Sequence, residues 1–216
     1  MKKLISSLAV LMIGYNGIGQ QTPYFASDPT LSPDAATVYF TYDSDIWKVP
    51  ASGGEALRLT ALSGNEINPR VSPDGKWLAF TSNQYGNNDV FILSLVGGEI
   101  RQLTFHQSND RVESWSWDSK VIYFTSDRYN NFGSYSVPAA GGTATKLFEH
   151  FFNTTNALVE TPAGEFIFTN TMESESQVNR KRYKGANNPD LLSYNPKTRV
   201  YKQQTSYIGK NNNPTA

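Results

Sequence analysis

Histidine and cysteine, which serve most often as base, thiol nucleophile or metal ligand, are scarce in this chain of 216 residues. Cysteine is absent, and the two histidines are His106 and His150. Serine hydrolysis needs a nucleophile beside a base that a third group orients. Neither histidine lies near a Gly-x-Ser-x-Gly bend of the kind that exposes such a serine, and each falls in a polar connecting stretch. No set of acid, base and nucleophile assembles from these residues, so no catalytic residue is assigned in this chain. Asp34, Asp74 and Asp118 are the next candidates, since carboxylates hold calcium and move protons. Each follows a serine at the same offset, in Ser32-Pro33-Asp34, Ser72-Pro73-Asp74 and Ser116-Trp117-Asp118, at intervals of 40 and 44 residues. One aspartate per repeating unit cannot converge on a single ion, whereas an aspartate in a turn accepts hydrogen bonds from nearby backbone amides. They are read as turn formers, and no metal or cofactor is expected. The densest basic run is Arg180-Lys181-Arg182-Tyr183-Lys184. Basic residues with an aromatic suit a nucleic acid or an anionic surface. However, the formal net charge is zero, and Glu173 and Glu175 lie close by, so a solvated loop or a contact with a neighbouring domain is the reading and nucleic acid is excluded as a partner.

What must position these residues is a repeated β unit, complete in residues 68–104. Apolar runs of four to seven residues alternate there with Pro, Asp, Gly and Asn clusters, which predicts short strands joined by tight turns. Ser72-Pro73-Asp74-Gly75 suits a type I turn, and Gly97-Gly98 suits a hairpin needing positive φ. The result is a four-stranded antiparallel meander. Phe40, Phe80, Phe124 and Phe168 each close an apolar-x-Phe-Thr run, at intervals of 40, 44 and 44 residues, and the pairs Gly53-Gly54, Gly97-Gly98 and Gly141-Gly142 stand 44 apart. A period of this length with four strands per unit marks a β-propeller blade. Trp47, Trp77, Trp115 and Trp117 fall in or beside strands, where packing between blades is their expected role.

In chain order the reading is an all-β protein: residues 1–19 form a signal peptide, and residues 20–216 form propeller repeats. Blades occupy about 26–60, 68–104, 111–148 and 156–205, the last interrupted by a polar excursion over 171–188. A stub at 206–216 begins a fifth blade, because Asn213-Pro214 aligns with Asn68-Pro69. Lys2 and Lys3, an apolar run over 4–13, and small residues with Gly17 and Gly19 make the leader a secretory signal. The apolar run is too short for a membrane helix, and no cysteine follows it to take a lipid. A mature chain in the periplasm or secreted, without disulfides and without a membrane span, is the expectation. Four blades and a stub leave sheet edges and blade faces open, which natural proteins avoid; a longer protein or a homo-oligomer would cover them.

With Ser-Pro-Asp-Gly at 72–75, Ala-Phe-Thr-Ser at 79–82, Asn-Asp-Val-Phe at 88–91 and Gly-Gly-x-x-x-x-Leu-Thr at 97–104, the chain resembles the TolB-like (WD40-like) propeller repeats. Asn170-Thr171-Met172, Arg180-Lys181-Arg182-Tyr183 and Asn188-Pro189-Asp190-Leu191 resemble more closely the amino-terminal propeller of secreted tricorn-type serine peptidases. That resemblance implies a six-bladed propeller, here partial, followed in the family by a second propeller, a PDZ domain and a peptidase domain holding the serine. It also implies a noncatalytic scaffold and a gate or conduit for peptides. A stand-alone periplasmic propeller that binds proteins, as TolB-like proteins do, is the alternative.

Blade geometry narrows where contact would occur. The first and third connections of a blade emerge on one face, and the second and the interblade connections on the other. The longer segments 83–88, 105–110, 127–131 and 171–188 all belong to the second face. Binding residues concentrate in long loops on rigid scaffolds, so Tyr85, His106, Arg128, Tyr129 and Arg182 are the candidate contacts for a peptide or partner.

Overall fold

The computed structural model describes residues 25–130, 132–148, 155–171 and 189–206 together with Asn211 and Pro214. The leader, His150, Arg182 and most of the 171–188 excursion lie outside the described residues.

Among the described residues, sixteen strands form four separate four-stranded antiparallel meanders. The first blade contains β1 (Ser27–Leu31), β2 (Thr37–Tyr42), β3 (Asp45–Pro50) and β4 (Leu57–Arg58). The second contains β5 (Glu66–Val71), β6 (Trp77–Ser82), β7 (Asp89–Ser94) and β8 (Ile100–Gln102). The third is β9 (Asp110–Trp115), β10 (Val121–Ser126), β11 (Gly133–Pro138) and β12 (Thr145–Lys146), and the fourth is β13 (Asn156–Glu160), β14 (Phe166–Thr169), β15 (Leu191–Asn195) and β16 (Val200–Gln203). The first strands β1, β5, β9 and β13 pack side by side in that order. They form the inner wall around which the sheets fan, as in a propeller.

The period of two along each second strand divides its side chains between two seams. Leu78 and Phe80 point back into a cluster with Tyr39, Ile46, Phe91 and Leu93 of the first two blades. Ala79 points forward into the next, with Val90, Val112, Ile122 and Phe124. Tyr123 in turn faces a third cluster with Phe148, Leu158, Phe166 and Phe168. The Phe of each Phe-Thr pair therefore plugs the seam behind its own blade. Phe80, Phe124 and Phe168 are fully buried, whereas Phe40, with no described sheet behind it, is only half-buried.

Opposite each of these phenylalanines the inner strand carries a β-bulge. The register slips between Ser27 and Thr30, Ile67 and Arg70, and Asn156 and Val159, and beside Phe124 in the third blade. Asp28, Asn68 and Ala157 take positive φ there, which bends the inner wall and aims side chains across it.

Candidate partner-contact face and the seams beneath it

The three turn aspartates are built alike. The hydroxyls of Ser32, Ser72 and Ser116 donate to Asp34, Asp74 and Asp118 at 2.5, 2.6 and 2.8 Å. Each carboxylate also accepts the amide two residues ahead, from Ala36, Lys76 and Lys120, at 3.0–3.1 Å. The serine bond is the main cause that holds the Asp34 and Asp118 carboxyls below their ordinary value. For Asp74, burial opposes, and the Ser72 bond with the Lys76 amide and charge outweighs it. These aspartates shape turns and are spread over three blades.

The longer loops are stitched to one another. Asn83 Oδ1 accepts the Asn65 amide at 2.7 Å, and one blade on, Asp127 Oδ1 accepts the Asn109 amide at 2.7 Å. Gly64 is required at the first of these contacts, since a Cβ there would lie 2.5 Å from the Gln84 nitrogen. Asn87 Nδ2 donates to the carbonyls of His106 and Ser108 at 3.0 and 2.9 Å. The connections 83–88 and 103–109 and the start of the one at 127–130 are thus joined, which brings Tyr85, His106 and Tyr129 onto the same face.

Their placements differ. Tyr85 and Tyr129 are 69% and 82% exposed, and Tyr129 adopts a left-handed conformation in the short 3-10 turn Arg128–Asn130. His106 is exposed, and its Nδ1 accepts the Ser108 amide at 3.0 Å, which is a turn contact. Arg128 turns inward: its guanidinium meets Asp110 at 2.6 Å and lies over the rings of Tyr135 and Phe124 at 5.2 and 5.7 Å. It anchors the loop that presents Tyr129. Phe105, 76% exposed, joins the same face; it opens the 105–110 segment one residue before His106, where Ala61 stands in the preceding repeat.

Beneath this face lies a layer of polar groups, buried in the first two seams and half-buried at Asp190, that the sequence reading missed. Asp45, Asp89 and Asp190 stand just at the start of, or next to, the third strand of their blades. Asp45 pairs with Arg58 at 2.7 Å, Asp89 accepts from Gln102 and Thr104, and Asp190 accepts from Gln203 and Thr205. Two further acids enter these seams from the next blade, Glu66 and Asp110, both fully buried. Burial pushes the Glu66 carboxyl up to about 7, with Ser82 opposing and Asp45 adding to the rise. Burial likewise pushes Asp89 up to about 6, against the Thr104 hydroxyl and helped by Asp110. The signal available in the sequence was the 44-residue interval shared by Asp45 and Asp89 and by Glu66 and Asp110.

The inner wall carries its own ties. Glu113 accepts the amides of Ala157 and Leu158 at 2.8 and 2.9 Å and the Thr125 hydroxyl, which locks the third blade to the fourth. Arg70 Nε reaches the Glu113 carbonyl, and Arg111 Nε reaches Asn68 Oδ1. On the opposite face of the disc a groove of about 450 Å³ opens between the last two blades, walled by Trp117, Tyr123, Glu160 and Pro162. Among the described residues no group of three or more His, Asp or Glu gathers to hold a metal ion.

Residues 23–216 match the tricorn protease N-terminal beta propeller domain. The chain belongs to that family. A tricorn protease crystal structure superposes with a TM-score of 0.72 at 16% identity, covering 90% of this chain and 20% of that one. The TolB homolog of Chlorobium luteolum is 41% identical over 61 residues, which are 28% of this chain and 14% of that protein. Tricorn protease homolog 1 of Streptomyces coelicolor is 38% identical over 60 residues, 28% of this chain and 6% of the relative. This tricorn-type propeller therefore aligns with only a small part of the length of those relatives.

Proposed function

We propose that the chain is the noncatalytic propeller of an exported tricorn-type peptidase, working as scaffold and as a gate or conduit for peptides. The observation that carries this reading is the family match over residues 23–216, on a scaffold whose stitched loops present Tyr85, His106 and Tyr129 together. Rigid exposed aromatics supply contact area at low conformational cost, which suits transient handling of peptides. The leader over 1–19 supports export to the periplasm or beyond. In this reading PDZ and serine peptidase domains are supplied outside residues 1–216. The sequence of the locus following the Ala216 codon, and of its neighbours, tests it: a PDZ and serine peptidase reading frame is expected, and its absence would overturn the proposal.

The match to a TolB homolog favours a second reading, a protein-binding propeller with no peptidase. A photo-crosslinking residue placed at Tyr85 or Tyr129 in cells separates the two. Capture of peptides or of a peptidase-bearing polypeptide supports the first reading, and capture of envelope proteins alone supports the second. The same residue at exposed Ser52, on the opposite face, serves as the control.

A further inference from the structure

The seams between blades repeat one backbone contact. An incoming residue donates its amide to the carbonyl just before the seam aspartate: Glu66, which opens β5, to Ser44 at 2.9 Å; Asp110, which opens β9, to Asn88 at 2.7 Å; and Asn211, past the fourth blade, to Pro189 at 3.0 Å. This contact sets the side chains of Glu66, Asp110 and Asn211 against Asp45, Asp89 and Asp190. At the third of these places Asn211 Nδ2 donates to Asp190 Oδ1 at 3.4 Å. The position thus suits a donor directed at the aspartate. At the second, Asp110 carries its charge against Arg128.

Glu66 has neither an amide to offer nor a cation of its own. It is fully buried, Oε1 accepts the Ser82 hydroxyl at 3.2 Å, and Oε2 is buried with no donor. Asp45 faces it across the seam and pushes its carboxyl up, the Thr60 hydroxyl beside it acts the other way, and Asp45 already shares its charge with Arg58. Other charged groups packed around β5 are directed elsewhere. Asp28 on β1 and Arg111 on β9 bond Asn68, and the Glu113 carbonyl on β9 takes Arg70. From β2 come the phenols Tyr39 and Tyr42 and the buried Thr41 hydroxyl, and across Ser82 lies Asp89, which faces Asp110. An ionised Glu66 would therefore leave a carboxylate oxygen buried against a second carboxylate, an arrangement that costs far more than the hydrogen-bonded acid.

We propose that Glu66 is held as a neutral carboxylic acid that donates its proton to Asp45, and that loss of this proton opens the seam between the first two blades. The seam is then a pH switch built into the propeller. Its direction follows from linkage. In the unfolded chain Glu66 titrates near 4.5, and in the fold near 7. The folded chain holds the extra proton between those values, so the stabilisation is complete below about 4.5 and is lost as pH rises through 7.

Hydrogen exchange read by NMR on the whole chain tests this between pH 5.5 and 8.5, with each rate divided by its intrinsic chemical rate at that pH. Protection of the Glu66, Ile46 and Leu59 amides is expected to fall by about tenfold or more between pH 5.5 and 7 and to level off above that. Protection at Phe168 in the fourth blade should stay level. Glu66→Gln supplies a permanent N–H, as Asn211 does, and should remove the step while keeping the seam closed at pH 8.5. A level wild-type profile at the seam amides, or a Glu66→Gln protein that keeps the wild-type step, would overturn the proposal. If Glu66→Gln does not fold, the wild-type profile decides alone.

Discussion

Ala35 and Ser119 occupy the fourth turn position that glycine fills in the other two blades, and all four residues have positive φ: 56° and 62° for Ala35 and Ser119, 71° and 76° for Gly75 and Gly164. A side chain in this left-handed region costs about 1–2 kcal/mol, and glycine's greater unfolded freedom takes back about 0.5–1. Ala35→Gly should therefore stabilise the chain by about 0.5–1 kcal/mol, read as a higher urea midpoint at unchanged slope. Ala36→Gly, one residue on and outside the left-handed region, should shift the midpoint the other way. Ser119→Gly should be near neutral, because its hydroxyl accepts the Asp74 amide from the neighbouring blade at 3.0 Å, and that bond is lost. The need for a special residue at this position was legible in Ser72-Pro73-Asp74-Gly75. The link from Ser119 to another blade was not, since nothing local to Ser119 specifies its partner 45 residues away.

At the scale of elements, strands were easy to read and seams were not. Alternation and glycine pairs locate β6 and β7, and the same markers 44 residues on locate β10 and β11, because both signals are local. The polar contacts of the seams join residues whose distance is set by how one sheet lies on the next. Arg128 illustrates this. Its place in a long loop marked it as a surface contact, yet its guanidinium is paired with Asp110 at 2.6 Å with both side chains largely out of water. The third blade has Gly133 where an aspartate would otherwise stand, and Thr155 from the fourth blade accepts the Ser134 amide at 2.8 Å, a role that Thr60 and Thr104 fill within their own blades. Removing one partner of a buried pair strands the other charge, at a cost of about 3–5 kcal/mol. Arg128→Met should destabilise by that amount in guanidinium unfolding, and adding Asp110→Asn should recover part of the loss. Additive losses in the double variant would show that the pair is not coupled.

For the whole molecule, the period of two that fills three seams also leaves two faces without a described neighbour. On the first blade the backward-facing side chains include Phe40 and its cross-strand partner Trp47, equivalents of the stacked pairs Phe80–Phe91 and Phe124–Tyr135. Both are only half-buried, and Leu31 beside them is 55% exposed. On the last blade Val200 is 57% exposed, and the edge strand β16 is exposed along its length. Each large apolar side chain left in water forfeits about 1.5–3 kcal/mol, in a molecule whose net stability is of the order of 5–15 kcal/mol. Open edges of this kind recruit other chains. Residues 20–216, purified alone, should therefore self-associate, with light scattering giving a mass above that of one chain and a melting temperature that rises with protein concentration. Phe40→Lys should shift the population toward monomer and lower the melting temperature at high concentration, since a buried charge is incompatible with a filled seam. A monomer with a concentration-independent transition, unaffected by Phe40→Lys, would mean that these faces are not where the chain meets its next partner.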